Sequence, residues 1–165
     1  MATLSIRPAT PADIPLILSL IHELADYERA PEEAIATPEL MRQHLFGSGL
    51  GKGPTAECVI GEVVGVAQGF AVYFHNFSTW KGRPGMYLED LFVRPAARGS
   101  GLGKALLKHV AAVAVSRGCP RLEWAVLDWN EPAIGFYKKL GAVPMSEWTT
   151  FRTTGAALAE LANQG

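Results

Sequence analysis

A glycine-rich turn between an apolar strand and a long helix carries the residues best suited to hold an anion. The turn is Arg98-Gly99-Ser100-Gly101-Leu102-Gly103-Lys104. Glycines let the main chain approach a ligand closely, and a helix start leaves about four N–H groups without partners in the helix. Those donors, the helix dipole and the charges of Arg94, Arg98 and Lys104 favour a phosphate group. The turn therefore predicts a phosphorylated cofactor.

Neither of the two common nucleotide-binding loops fits this turn. A Walker loop needs an earlier glycine where this chain has Arg98, and Ser or Thr where it has Ala105. A dinucleotide fingerprint needs G-x-G-x-x-G directly after its strand, whereas this turn is G-x-G-x-G and begins several residues after Val93. The plain alternative is a glycine-rich connection without a ligand, but the flanking Arg98 and Lys104 disfavour it.

Two further blocks give the chain a family resemblance. Residues 87–93 are Tyr-Leu-Glu-Asp-Leu-Phe-Val, and residues 130–142 are Asn-Glu-Pro-Ala-Ile-Gly-Phe-Tyr-Lys-Lys-Leu-Gly-Ala. With Arg98-x-x-Gly101-x-Gly103, they resemble the GNAT superfamily of N-acetyltransferases, and within it the diamine (spermidine/spermine) and thialysine acetyltransferase branch. The resemblance covers nearly the whole chain, beginning at Ile6-Arg7-Pro8-Ala9-Thr10.

The resemblance implies acetyl-CoA as the cofactor and a main-chain site for it. The amides of residues 98–104 would take the pyrophosphate, and the backbone of Leu91, Phe92 and Val93 would pair with the pantetheine arm like an added strand. The same strand could offer an N–H to the oxyanion of the reaction. Asn130 is expected to face the cofactor arm, and it is also a natural helix N-cap. The cofactor-binding residues that the resemblance implies are Leu91, Phe92, Val93, Arg98, Gly99, Ser100, Gly101, Leu102, Gly103, Lys104, Asn130 and Tyr137.

Acetyl transfer to a primary amine requires a base, because such an amine has a pKa near 10.4. At neutral pH the reactive form costs roughly 4–5 kcal/mol to reach. By resemblance, we assign the base to Glu89 and acceptor binding to Asp90. Alternation along a strand places these two acids on opposite faces, and like charges so close raise one pKa. The competing interpretation is an edge acid that faces water.

The leaving thiolate needs a proton or a hydrogen bond, and Tyr137 is the candidate donor. Its pKa near 10 keeps a tyrosine protonated at pH 7. Asn130 and Tyr137 are two helical turns apart and share a face. The alternative for Tyr137 is an aromatic core residue beside Phe136. The four histidines and two cysteines have no ligand or nucleophile spacing, so we predict no metal and no covalent intermediate.

The acceptor is expected to be a small molecule with a primary amine, held by aromatic faces and carboxylates. The resemblance matches Trp80 and Trp148 to aromatic positions, and Tyr27 with Glu28 could add acid at the other end of the pocket. Ser78 and Ser146 stand where polyamine-specific members carry carboxylates. A lysine-like amino acid such as thialysine therefore rivals a polyamine or diamine. The other classes left open are a protein or peptide N-acetyltransferase and a non-catalytic acyl-CoA sensor.

The bulk properties fit one domain over residues 1–165. The chain is 48% hydrophobic and 19% charged, which is typical of globular proteins, and no apolar run reaches membrane-span length. Its net charge of −1 argues against broad nucleic-acid binding. Cys58 and Cys119 indicate thiols in a reducing compartment, so a cytoplasmic protein without a signal peptide is expected. The resemblance implies a homodimer.

Strand and helix patterns alternate along the chain and predict an α/β fold. Strands are expected at residues 4–7, 57–60, 63–74, 86–93, 122–127, 143–145 and 148–153, with a hairpin turn at 61–62 and a loop at 75–85. Helices are expected at 13–27, from the proline after Thr37 to 46, from the glycine turn to Gly118, from 130 to 141 and in the tail. The resemblance adds a mixed, mostly antiparallel central sheet with helices on both faces, in which two central strands, at 86–93 and 122–127, splay to admit the cofactor.

Overall fold

We describe residues 2–164 from a computed structural model. The chain divides into two compact units, Met1–Ala125 and Val126–Gly165. The single domain that the sequence suggests stays a prediction. None of the helices in the described range is long and apolar enough to cross a membrane.

A five-stranded sheet forms the first unit. Its strands lie in chain order, and all neighbours are antiparallel except the last pair, which is parallel. This confirms the mixed, mostly antiparallel sheet. The two strands expected to splay are β4 and β5. Because β5 lies at the edge of the sheet, the expectation that both are central is wrong. The strands are β1 (Leu4–Pro8), β2 (Glu57–Val63), β3 (Val66–Ser78), β4 (Arg83–Val93) and β5 (Leu122–Glu123).

Helix α1 (Ile14–Tyr27) covers one face of the sheet. Its apolar stripe is buried against β2, β3 and β4, where Phe70, Val72 and Phe92 meet it. Its start is fixed by Asp13, whose Oδ2 accepts from the Thr10 N–H at 2.8 Å and the Thr10 hydroxyl at 3.0 Å. Arg7 on β1 binds the same carboxylate at 2.8 Å. These bonds hold the turn before α1 and connect the start of the helix to β1.

Helix α3 (Leu102–Ser116) covers the opposite face. Its buried side chains are Leu102, Leu106, Leu107, Val110 and Ala114. Gly61 of β2 makes the approach possible, because a Cβ there would lie only 2.9 Å from Leu102. The Gly118 N–H bonds to Val115 and the Cys119 N–H to Ala114, as a Schellman end requires, which confirms the expected C-cap. Helices therefore lie on both faces of the sheet.

Three predicted boundaries in the first unit are wrong. The β2–β3 hairpin turns at Val64 and Gly65, both with positive φ, rather than at 61–62. Residues 75–85, expected to be a loop, extend β3 and β4 into a long hairpin, because cross-strand pairing there outweighs the polar composition. The second helix keeps its expected bounds, because α2 (Pro38–Met41) continues as a π-helical turn at Arg42–Phe46. The third wrong boundary is that of β5. Strand β5 holds two residues instead of six.

The second unit contains α4 (Glu131–Lys139) and α5 (Gly155–Ala162). Both helices were expected, and Gly141 follows the end of α4 with φ 86°. The strands predicted at 143–145 and 148–153 do not form. Alternating apolar residues make a strand only where a neighbouring strand pairs with them, and no pairing involves these residues.

Candidate functional site

The glycine turn adopts the backbone conformation that its composition favours. Gly99 has φ 81° and Gly101 has φ 90°, a left-handed region that other residues enter at a cost. Gly101 is the N-cap of α3, and the 3₁₀ turn Pro95–Ala97 precedes the glycines. The turn thus places a run of small residues at the positive end of a 15-residue helix.

Four of the seven amides in this turn have no acceptor among residues 2–164: those of Gly99, Gly101, Gly103 and Lys104. The other three are used by the protein itself. Arg98 N–H donates to the Pro95 carbonyl, Ser100 N–H to the Ala97 carbonyl, and Leu102 N–H to the Ser100 hydroxyl at 3.3 Å. The expectation that every amide from 98 to 104 is available is therefore wrong for these three. The remaining four form a compact set of donors suited to a pyrophosphate.

Arg94 does not serve this turn. Its Nη2 lies 2.7 Å from Glu23 Oε1 on α1, its Nε also bonds that carboxylate, and its Nη1 reaches the Ala67 carbonyl. The ion pair raises the pKa of Arg94 and lowers that of Glu23. The expected contribution of Arg94 to phosphate binding is therefore wrong, and the arginine holds α1 to the sheet instead.

Strand β4 has an open edge, by which we mean the side of Leu88–Val93 turned away from β3. Strand β5 pairs only with Met86 and Tyr87, and the chain then leaves the sheet. The Arg94 N–H donates to the Gln68 carbonyl of β3. In an antiparallel ladder, Leu91 and Val93 must then turn their N–H and C=O groups to the open edge.

Two details of this edge differ from expectation. The Val93 carbonyl is not available, because Arg98 Nε donates to it at 3.3 Å. Phe92 turns its backbone to β3, where it pairs with Phe70, and its ring is buried in the α1 core. The structure therefore brings Leu91 and the Val93 N–H to the open edge, and not Phe92.

A β-bulge lies at Glu89. Asp90 pairs with Val72 and Leu88 pairs with Tyr73, so Glu89 has no partner on β3. The bulge breaks the strict alternation that the sequence suggested. Asp90 shares the α1 face with its partner Val72, whereas Leu88 lies on the α3 face. Glu89 is exposed and Asp90 is half-buried.

The bulge gathers an acidic cluster, which we define as Glu28, Glu89 and Asp90. Burial raises the pKa of Asp90 to about 6, and the charges of Glu89 and Glu28 add to the effect. Burial also raises the pKa of Glu28. One acid of the adjacent pair, Asp90, therefore has a raised pKa, but burial and not the neighbouring like charge is the main cause. Tyr27, the residue before Glu28, packs against the core cluster that contains Phe92, so the end of α1 lies beside β4. Among the described residues, Asp90 has no cationic partner.

Tyr27 connects this cluster to the glycine turn. The guanidinium carbon of Arg98 lies 4.6 Å from the centre of the Tyr27 ring. Trp80, by contrast, is 87% exposed at the tip of the β3–β4 hairpin. The strand rise puts it roughly 20 Å along β4 from Asp90. Within the first unit, the structure brings Tyr27, Glu28 and Asp90 together and leaves Trp80 apart from them.

The remaining predicted site residues lie in the second unit. Asn130 is buried, and its side chain accepts from the Ala133 N–H at 3.3 Å, which confirms that it caps α4. Tyr137, two turns later, is half-buried, and its ring lies 5.3 Å from that of Phe136. Trp148 is exposed and borders a small cavity lined by residues 144–148.

Two features of the site escaped sequence reasoning. The bulge at Glu89 has no glycine or proline to announce it, and the signal that could have found it is the adjacent pair of acids in an otherwise apolar strand. The Arg98–Tyr27 contact joins residues 71 positions apart and has no local signal. Within residues 2–164 no group of three His, Cys, Asp or Glu side chains has the arrangement of a metal site.

Comparison with known proteins agrees with this geometry. Residues 18–142 match the acetyltransferase (GNAT) family. The chain is 39% identical to the thialysine N-epsilon-acetyltransferase of Bos taurus, over 99% of this chain and all of that protein. It is 32% identical to the L-ornithine N5-acetyltransferase of Arabidopsis thaliana, over 93% and 85% of the two chains. An integron cassette protein from the mobile metagenome of V. cholerae superposes with a TM-score of 0.79 at 28% identity, over 98% of both chains. The chain belongs to the GNAT family of acetyltransferases.

Proposed function

We propose that this protein transfers the acetyl group of acetyl-CoA to a primary amine of a small molecule. The observation that carries the proposal is the pairing of two neighbouring features on β4. The first feature is the open edge of β4, followed along the chain by the four amides at the start of α3 that have no acceptor among residues 2–164. The second is Asp90 on the same strand, a half-buried carboxylate without a cationic partner among those residues. The first feature suits a long phosphorylated cofactor, and the second suits an alkylammonium.

The residues at the turn fit acetyl-CoA. Its pyrophosphate would accept from the amides of Gly99, Gly101, Gly103 and Lys104, and its pantetheine arm would pair with Leu91 and the Val93 N–H. When bound, the cofactor supplies an acetyl thioester with a thiolate as the leaving group. In the second unit, Asn130 is the proposed further contact to the cofactor arm.

Glu89 is the proposed base. Its exposed position on the bulge lets water reach the carboxylate, so it can take the amine proton directly or through a water molecule. Asp90, turned to the α1 face, would bind the ammonium form or a second positive charge of the acceptor. Holding a cation against Asp90 also removes the repulsion among the acidic cluster.

Tyr137 is the proposed acid. A tyrosine keeps its proton at neutral pH and can donate it, or a hydrogen bond, to a thiolate whose conjugate pKa is near 8.5. The helix supports this role because the buried Asn130 cap fixes the start of α4 and hence the rotation of the face that carries Tyr137.

The acidic cluster favours an acceptor with two nearby positive groups, such as a diamine or a lysine-like amino acid. The relatives named for thialysine and ornithine have acceptors of this kind. Ser78 stands where polyamine-specific members carry a carboxylate, and it supplies no negative charge for a long polyamine. It is buried at the hairpin end, where its hydroxyl accepts from the Lys81 N–H. We therefore favour a lysine-like amino acid or short diamine over spermidine.

A thiol-release assay over a panel of amines tests the proposal. The panel contains thialysine, lysine, ornithine, a short diamine and spermidine, each matched with a form in which every primary amine is dimethylated. We expect acetyl-CoA-dependent release with a primary amine and none with its dimethylated partner. Release with no member of the panel, although CoA binds, would favour the acyl-CoA sensor, and release only with a peptide would favour the protein N-acetyltransferase.

We also infer that the protein is a homodimer that works in the cytoplasm. The dimer is argued from the family resemblance, and sedimentation at micromolar concentration measures it. The compartment is argued from two free cysteines, of which Cys58 is buried with a pKa raised by burial to about 12. A thiol with such a pKa is unreactive and behaves as a small apolar side chain.

A further inference from the structure

Arg98 is held by the protein at three points. Its main-chain N–H donates to the Pro95 carbonyl at 3.1 Å, and its Nε donates to the Val93 carbonyl at 3.3 Å. Its guanidinium carbon lies 4.6 Å from the centre of the Tyr27 ring. Planar guanidinium groups stack on aromatic faces in this way, whereas an ammonium has no such plane.

These contacts differ from what a simple phosphate ligand would need. A residue whose only task is to attract phosphate keeps its donors available: among residues 2–164, no acceptor takes the Gly99 N–H or the main-chain and side-chain donors of Lys104. Arg98 instead uses its main-chain N–H and its Nε–H to bind carbonyls of the protein, and its guanidinium stacks on Tyr27 of α1. Its side chain bridges the open edge of β4 and the last turn of that helix.

Tyr27 is the last residue of α1, and it packs against the core on that face of the sheet. The core cluster that Tyr27 contacts contains Val72, the cross-strand partner of Asp90, so the residue after Tyr27, Glu28, lies on the side of the sheet that Asp90 faces. The helix ends there, since the Glu28 and Ala30 N–H groups close the final turn on Leu24 and Ala25. Whatever fixes the Tyr27 ring therefore fixes where Glu28 stands relative to Asp90.

We propose that Arg98 is a positioning residue for the acceptor, which holds Tyr27 and thereby sets Glu28 beside Asp90. The inference rests on the proposed function and deepens it, because it assigns a residue of the cofactor turn to amine recognition. The Val93 carbonyl, Arg98 and Tyr27 form one continuous contact from the open edge to the acidic cluster. Acceptor affinity consequently depends on the conformation of the cofactor turn.

The test compares Arg98→Lys with Arg94→Lys in the full chain. Arg98→Lys keeps the positive charge but removes the stacking plane and the Nε–H. Arg94→Lys makes the same chemical change in an arginine that also ties β4 to α1, through Glu23 instead of Tyr27. The two readouts are steady-state kinetics, with CoA affinity measured beside them, and amide hydrogen exchange across residues 24–30.

We expect Arg98→Lys to raise the KM for the amine about two- to fivefold, the value of an exposed cation–π contact, with a smaller change in CoA affinity. Exchange at residues 24–30 should be faster. Arg94→Lys should leave the amine KM unchanged. In a Tyr27→Leu background, Arg98→Lys should have no further effect on the amine KM, because the contact is already lost.

Several results would overturn the inference. One is a loss of CoA affinity as large as the loss of amine affinity, which would make Arg98 a phosphate ligand. Another is an equal amine KM effect in Arg94→Lys, which would indicate general anchoring of α1. If the wild-type protein turns over no amine, the proposed function fails, and hydrogen exchange still decides the inference: unchanged exchange in Arg98→Lys would refute the positioning role.

Discussion

Asp90 and Glu89 are neighbours with different environments, and the bulge between them is the cause. Asp90 is half-buried on the α1 face, while Glu89 is exposed. Two acids of one strand can then take separate tasks, one binding a cation and the other exchanging protons with solvent. The sequence showed that both acids are present, but only the pairing of Asp90 with Val72 shows which of them faces α1.

Replacing Asp90 should stabilise the protein and impair amine binding. The folded-state pKa of Asp90 is about 6, against 3.8 as its ordinary value. Between these values the folded protein binds the proton more tightly than the unfolded chain, so ionisation lowers stability as pH rises through that interval, and the cost persists above it. Asp90→Asn should therefore raise the free energy of unfolding at pH 7.5 by on the order of 2 kcal/mol, with little change at pH 4.

Urea denaturation at the two pH values measures this gain, and Glu89→Gln is the matched control. It removes an exposed charge, so its stability gain should be smaller while its kcat falls. A gain for Asp90→Asn that is equal at both pH values would contradict the role of ionisation.

Tyr137→Phe separates the acid role from packing. The phenyl ring keeps the contact with Phe136, so folding and CoA affinity should be unchanged, whereas kcat should fall about 10²-fold or more, as loss of a general acid does. Isothermal titration with CoA and steady-state kinetics measure the two quantities. Undiminished kcat would remove Tyr137 from the mechanism.

At the scale of elements, the start of α3 shows how a helix is built for ligand approach rather than for stability. Gly103 lies within the first turn, and a Cβ there would meet only Val93 at 3.8 Å, an ordinary contact. Alanine is a better helix former than glycine by up to about 1 kcal/mol. The chain keeps glycine at a position where the fold would accept alanine.

Gly103→Ala should consequently raise the melting temperature by a few degrees and weaken CoA binding at least tenfold. The added methyl group stands over amides that would otherwise meet the pyrophosphate. Calorimetry and CoA titration check both effects on one sample. Stabilisation with undiminished CoA affinity would mean that the ligand does not approach the backbone at this point.

Elements with a strong local signal could be predicted from the sequence. Helices α1 and α3 have apolar stripes, Asn130 caps α4, and a glycine follows the ends of α3 and α4, so local features mark these helices. Features that depend on pairing could not be predicted. The short β5 and the long hairpin past His75 are decided by which backbone lies opposite, and no local sequence pattern shows this. The bulge at Glu89 also depends on pairing, and its one local signal is the adjacent pair of acids.

The candidate site divides in the same way. The glycine turn, both acids and the Asn130 cap could be found from residue types and spacing. The engagement of Arg94 by Glu23 and of Arg98 by Tyr27 could not, because each contact joins α1 to the region after β4. These two contacts change the roles of the arginines: one anchors a helix, and the other is proposed to position the acceptor.

At the scale of the first unit, β4 is the strand on which the proposed chemistry depends. It carries the bulge with its two acids, the open edge and, through the following turn, the amides at the start of α3. The helices on the two faces of the sheet supply the other parts of the proposed site. Glu28 directly follows α1, and α3 contributes its helix dipole. The net charge of −1 offers little long-range attraction for a polyanion, so cofactor binding must rely on this local arrangement.

An amide NMR titration with CoA shows whether the cofactor binds to the main chain of the glycine turn. The largest shifts should fall on the N–H groups of Gly99, Gly101, Gly103 and Lys104, with Leu91 and Val93 next. The N–H groups of Arg98, Ser100 and Leu102, which already donate to the protein, should move less. Saturation with CoA that leaves the four turn amides unmoved, while signals elsewhere shift, would contradict the account.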